Sequence, residues 1–301
     1  QVQIRGLRIA FNRKVSVDIR IVIDEPTIEV GESPTWHPDE GVVYWADVSN
    51  GRLFCYDPSS DQNICCYEPG NISGITLQRE GALLLFGKSG ELSAWQNGQT
   101  EILHRGFETG FNDCTADPLG RIYSGMQPID AGEGRPEQSG RLTRIECDGT
   151  HAFVDEGIGG PNGIAVSGDR KHLYFADTAA GSVYVYDYDE ETGSIGPRQA
   201  LIQTSEGVPD GMAVDEEGGL WVAVCGGGAV GRYSPEGELL LQVEMPTKAV
   251  TSVTFGGENL ETLYVTSLGA VWRAGMDEHA GCVFAFEPGV CGRPEFRSAL
   301  G

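Results

Sequence analysis

Hydrophobic residues come along this chain in short alternating bursts, each closed by a polar turn, and no stretch sustains a period near 3.6. Gly31-Glu32-Ser33-Pro34-Thr35-Trp36-His37 reads as a short strand, Pro38-Asp39-Glu40-Gly41 as a turn, and Val42-Val43-Tyr44-Trp45-Ala46-Asp47 as a second strand. The same pattern returns five times. It runs from Ser73-Gly74 to Leu84-Leu85, from Phe111-Asn112-Asp113 to Ile122-Tyr123, and from Pro161-Asn162-Gly163 to Leu173-Tyr174. It runs again from Pro209-Asp210-Gly211 to Leu220-Trp221 and from Thr251-Ser252 to Leu263-Tyr264. Copies spaced roughly 40 to 50 residues apart have the period of a four-stranded propeller blade. The expected fold is therefore all-β, a six-bladed β-propeller with almost no helix.

Each copy continues into two further strands, as in Arg52–Tyr56, Glu91–Trp95, Ser182–Tyr186 and Ala229–Tyr233. Asn97-Gly98, Asp148-Gly149 and Glu236-Gly237 supply hairpin chemistry with positive φ. Val15–Ile23 alternates strongly but precedes the first copy, so it has no partner within its own repeat. Such a strand closes a ring by completing the last blade, which removes two exposed edges. Either this strand or Thr27–Val30 is expected to pair near Cys282–Gly289 or Phe296. Residues 1–14 carry no repeat and read as an extension or tag remnant, leaving 15–301 as one propeller domain. Pro128–Ser139, rich in Pro and Gly, reads as a loop over one face.

Composition narrows the function. The net charge of −23 argues against a nucleic-acid partner, because phosphate binding needs a basic stripe. No apolar run approaches the roughly 20 residues of a membrane helix, and nothing reads as a signal peptide. The expectation is a soluble cytoplasmic protein, a monomer or small homo-oligomer, away from membranes. The eight cysteines form no C-x-x-C pair, so they are expected to be reduced and buried or half-buried in strands. His37, after Trp36 at a strand end, is expected on the surface.

Equivalent positions in a closed radial array lie at one height around one axis. Aligning the copies on their aromatic pairs brings Glu32, Ser73, Asn112, Asn162, Asp210 and Ser252 into one ring at a channel mouth. Asn and Asp also cap strand ends routinely. Two carboxylates and two amides in shared register instead suggest a cation site, since like charges there raise a pKa or demand a counter-ion. All-oxygen donors suit Ca²⁺, Mg²⁺ or Mn²⁺, and Zn²⁺ where it is available.

With Gly31-Glu32-Ser33-Pro34, Phe111-Asn112-Asp113, Pro161-Asn162-Gly163 with Ala176-Asp177, Pro209-Asp210-Gly211-Met212, and Thr251-Ser252 with Phe255-Gly256-Gly257, the chain resembles the senescence marker protein-30/regucalcin/gluconolactonase family. The resemblance runs from about Val30 to Pro294. It implies one divalent metal in the central channel, held by Glu32, Asn162 and Asp210, and a substrate contact from Asn112. In related phosphotriesterase propellers the position of Asn112 binds the metal. Many sugar lactonases of the family read Arg-x-Asn-Asp where this chain has Gly110-Phe111-Asn112-Asp113. Arg135 or Arg105 is then a candidate for the missing guanidinium, and Glu133 or Glu137 for a further substrate contact.

Other motifs fail their context. Gly226–Gly231 satisfies G-x-G-x-x-G, but Arg232-Tyr233-Ser234-Pro235 follows instead of a helix. No Gly-x-Ser-x-Gly elbow exists, and the five histidines show no ligand spacing. The reading is a divalent-metal-dependent hydrolase that opens a lactone, with Asp210 as general base beside the metal. The rivals are a phosphotriester or other ester hydrolase on the same residues, and a non-catalytic calcium-binding propeller.

Overall fold

The computed structural model describes residues 13–14, 17–25, 27–68, 70–128, 139–269 and 278–301. Its strands form six antiparallel sheets, one for each copy of the repeat, arranged as a six-bladed propeller. The innermost strands are Gly31–His37, Gly74–Leu77, Phe111–Ala116, Pro161–Val166, Val208–Val214 and Val250–Gly256. Blades 1 to 6 are numbered in that order.

The nearly continuous apolar second strands follow from packing on both faces. In Val42–Asp47, Val42, Tyr44 and Ala46 pack with Ile75, Leu77, Leu83 and Leu85 of blade 2. Val43 and Trp45, pointing the other way, pack with Tyr264, Val283 and Ala285 of blade 6. The period of two is kept, but both sides of the pleat are core. One such cluster lies between each pair of neighbouring blades. Each buried Leu, Val or Phe contributes about 1.5–3 kcal/mol. The core therefore lies between blades, and its completion depends on closing the ring.

Arg20–Asp24 closes it, pairing antiparallel with Cys282–Phe286 as the outermost strand of blade 6. The expected closure is present, although the strand is shorter than Val15–Ile23 and its partner is not near Phe296. Arg13–Lys14 adds in parallel to the edge of blade 5 along Leu241–Gln242. The predicted turn chemistry also holds: Asn97 and Gly98 have φ of 51° and 76°, Gly149 83° and Gly237 84°.

Phe296 belongs instead to a C-terminal strap across the base. Gly292 bridges Asp215 of blade 5, and Ser298 bridges Gln78 of blade 2. Between them Arg293–Phe296 join the inner strands in lining a cavity of about 90 Å³ on the axis. The far end is pinned by Gln78, whose Nε2 donates to Leu300 O at 3.1 Å and whose Oε1 accepts from Leu300 N at 3.0 Å.

Two expectations need correction. His37 is 2 % exposed, not a surface residue. As the last residue of an inner strand it is wedged between blades 1 and 2, with Nε2 3.0 Å from Gly81 O. All eight cysteines are free, but Cys65 is exposed and Cys147 and Cys291 lie outside strands. Among the described residues no helix is long and apolar enough to cross a membrane.

Gln78→Ala removes both bonds to buried Leu300 and leaves its amide groups without partners. Denaturant unfolding should show a loss of about 2 kcal/mol or more. Unchanged stability would mean that the strap is not held through Gln78.

Candidate active site

Five inner strands carry a register shift at their upper ends. It falls at Ser33–Pro34, Asn112–Asp113, Asn162–Gly163, Asp210–Gly211 and Thr251–Ser252. A bulge opposes two residues to one, bends the strand and re-aims its side chains. Ser73, Asn112, Asn162, Asp210 and Ser252 each stand four residues before the last paired residue of their strand. In blade 1 that step belongs to Ser33, and Glu32 lies one residue earlier. Ser33 has φ of 50°, and its N–H donates to Glu32 Oε2 at 3.0 Å. The left-handed turn thus gives the ring a carboxylate from one step higher.

The mouth is tight. A β-carbon on Gly163 would collide with the Asp210 carbonyl, and one on Gly211 with the Ser252 side chain. Hydrogen bonds continue the ring from blade to blade. Thr251 Oγ1 donates to Gly31 O at 2.6 Å, and Asn112 Nδ2 to Pro161 O at 2.7 Å. Thr178 Oγ1 donates to Pro209 O at 2.8 Å and accepts from Asn162 Nδ2 at 3.2 Å. These partners fix both amides: each NH₂ is committed to an acceptor, so each carbonyl oxygen is left for other donors or a cation.

The carboxyls show the opposite of satisfaction. Burial raises the Asp210 carboxyl well above the usual range, and the charge of Asp113 raises it further. Burial does the same to Glu32, followed by the charges of Asp210 and Asp113. Burial lifts Asp113 to about 6, although the Cys114 N–H at 2.8 Å opposes the shift. Asp210 Oδ1 is buried and has no hydrogen-bond partner among the described residues. A buried, unpaired oxygen beside two more carboxyls costs stability unless protonated or coordinated. With the oxygens of Asn112 and Asn162, this donor set fits a hard divalent cation. Among the described residues no group of three or more His, Cys, Asp or Glu is placed to hold a metal, at this mouth or elsewhere, so a cation here would depend on the amide oxygens as well.

The structure thus gathers Glu32, Asn112, Asn162 and Asp210 at one mouth. Glu133, Arg135 and Glu137 lie outside the described residues. Arg105 does not substitute for them: it sits on the outer strand of blade 2, 3.3 Å from Glu91. Asp113 went unassigned in the sequence because alternation would place it opposite Asn112; the bulge there left no signal in the letters. Glu295 was also missed, since it follows the last repeat. It accepts from Thr254 Oγ1 at 3.0 Å, and the surrounding blades raise its carboxyl to about 7. Gly110 allows close backbone approach, since a β-carbon there would collide with the Lys88 carbonyl. An arginine at that position would require the Lys88 turn to move.

Residues 30–269 match the family model described as the SMP-30/Gluconolactonase/LRE-like region. A pentonolactonase of Haloferax volcanii is 40% identical over 285 residues, covering 91% of this chain and 96% of its own length. A 6-deoxy-6-sulfogluconolactonase of Pseudomonas putida is 34% identical over 295 residues, covering 92% and 98%. Among solved structures, a calcium-binding regucalcin from Agrobacterium tumefaciens superposes with a TM-score of 0.82 at 25% identity, covering 94% and 98%.

The raised carboxyls set a pH dependence for metal-depleted protein. A carboxyl whose folded pKa lies above its unfolded value does not affect stability when both states are protonated, and costs stability progressively as pH rises above the unfolded pKa. In chelator, Asp210→Asn should match wild type near about pH 4 and become more stable by a few degrees in Tm as pH rises toward about 8. A variant less stable than wild type across that range would contradict an uncompensated charge at Asp210.

Proposed function

The chain belongs to the SMP-30/gluconolactonase/LRE-like family, and on that premise we propose that it is a divalent-metal-dependent lactonase acting on a sugar lactone. The observation that carries the reading is the unpartnered Asp210 Oδ1 amid Glu32, Asp113 and two oxygen-presenting amides. The relatives named as lactonases support the reaction class. The relative described as calcium-binding supports a divalent ion.

Glu32, Asn162 and Asp210 would hold the ion, with Asn112 completing the shell or orienting substrate. Ca²⁺, Mg²⁺, Mn²⁺ and Zn²⁺ are all compatible with this donor set. When bound, the cation supplies Lewis-acid polarisation of the lactone carbonyl and stabilises negative charge on its oxygen. Asp210 is the general base. It accepts a proton from the water whose oxygen bonds to the carbonyl carbon. As the ring C–O bond breaks, the protonated carboxyl returns that proton to the departing alkoxide, and the product is the open hydroxy acid. Without a cation the Asp210 carboxyl holds its proton above the usual range; a bound cation would lower that affinity and keep Asp210 ionised, the form that can accept a proton.

The second reading, a calcium-binding propeller without turnover, is favoured only by that relative's name. Turnover decides between them. Chelation should abolish hydrolysis of a sugar lactone followed with a pH indicator, and one of the four cations should restore it. Glu32→Gln and Asp210→Asn should each weaken cation binding by roughly a hundred-fold in calorimetry. Full activity in excess chelator, or unchanged affinity in both variants, would refute the assignment.

A further inference from the structure

The ring is uneven. Blade 2 is the one inner strand without the bulge, and it contributes only Ser73. The Ser73 hydroxyl donates back to Phe86 O at 3.0 Å. At its ring position this sector therefore has neither a carboxylate nor an amide, and the amide of Asn71, two residues earlier, donates to Ser89 Oγ at 2.6 Å.

Over this sector stands the Gly87–Gly90 turn of blade 2. Gly87 N donates to Glu91 O at 2.8 Å and Gly90 N to Gly87 O at 3.0 Å, which closes the turn on itself. A β-carbon on Gly90 would collide with the carbonyls of Phe107 and Thr109, and one on Gly110 with the backbone of Lys88. The turn is therefore seated against the residues that lead into Phe111–Ala116. Lys88 lies at its tip, and its backbone touches the chain two residues before Asn112.

The Lys88 side chain is exposed. Partial burial lowers its pKa, and the charge of Asp47, which pairs in register with Gly31, the residue before Glu32, opposes that shift. Asp47 does not consume this charge. Its oxygens already accept from Val30 N at 3.1 Å, Asn50 Nδ2 at 2.7 Å and Arg52 Nη2 at 2.6 Å. Among the described residues the Lys88 ammonium has no ion pair within 4.0 Å. The Lys88 ammonium thus stands on a turn whose backbone packs two residues before Asn112, with its three donors uncommitted in ion pairs among the described residues.

We propose that Lys88 is the specificity-determining residue of this site: its ammonium donates a hydrogen bond to a hydroxyl of the bound lactone in the blade 2 sector. The inference rests on the lactonase reading. It selects lactones bearing ring or side-chain hydroxyls over unsubstituted ones. An ionised donor also makes a stronger hydrogen bond to a lactone hydroxyl than a neutral one.

The test compares wild type with Lys88→Met and Lys88→Arg, each loaded with the same divalent cation. One arm measures kcat and KM on a polyhydroxylated five-membered lactone and on γ-butyrolactone. Lys88→Met should lower kcat/KM on the hydroxylated lactone by about ten- to a hundred-fold, the range for a charge-assisted hydrogen bond. The value on γ-butyrolactone should stay within about two-fold, and Lys88→Arg should recover part of the loss. The second arm measures calorimetric binding of the matching hydroxylated lactam, which does not turn over. Lys88→Met should weaken it by a similar factor. An equal loss on both lactones, or no loss on either, overturns the proposal. A protein that binds the lactam through Lys88 but hydrolyses no lactone refutes the catalytic reading and keeps the recognition role. A wild type that binds no hydroxylated lactam overturns both.

Discussion

Closing six sheets on one axis brings their inner strands together until side chains and backbones compete for the same space. At the upper mouth this competition leaves glycine at Gly163 and Gly211, because a β-carbon at either would enter the neighbouring strand. It also leaves bulges in five strands at the same level. Everything polar at that level is thereby aimed into one small volume. Glu32, Asp113 and Asp210 are acids that burial keeps above their ordinary pKa, and neighbouring carboxylates add to the shift at Glu32 and Asp210. The energy that holds them there comes from elsewhere, from the apolar clusters between blades and from the strand pairing of Arg20–Asp24 with Cys282–Phe286. The fold's stability and the strain of its centre thus reside in different places, and substitutions at the mouth can alter chemistry without dismantling the ring.

The mouth and the base play different parts. At the mouth, amides with their NH₂ groups committed across blades present oxygens, and one carboxylate oxygen has no partner. At the base, the strap from Gly292 to Leu300 crosses beneath the axis and carries Glu295 under the cavity. The cavity on the axis is lined by residues of all six inner strands together with Arg293–Phe296 of the strap.

Much of this was legible as sequence because the repeat is written in the letters. The aromatic and aliphatic pairs fixed the number of blades, and Asn-Gly and Asp-Gly fixed several turns. Glu32, Asn112, Asn162 and Asp210 stood out through their shared spacing, although pairing places Glu32 one step above the others. What escaped had physical reasons. A bulge changes which side a residue faces without changing composition, so Asp113 was not seen as part of the ring. His37 looked like a surface residue because its burial comes from a neighbouring blade's turn, a contact some 44 residues away. Glu295 belongs to no repeat and had no register to betray it. At Gly110 the sequence showed a missing side chain, and only the fold shows that the backbone of Lys88 has taken its space.

The proposed function requires one divalent cation to complete the acids at the mouth. The most direct measurement is calorimetric titration of that cation into metal-depleted protein near pH 6, repeated in buffers of different ionisation enthalpy. Ligand carboxyls that hold protons above their usual range must release them on binding. The titration should show one saturable site per chain, with net proton release that shrinks as pH rises and is diminished in Asp210→Asn. Absence of saturable binding, or binding without proton release and with unchanged affinity in that variant, would contradict it.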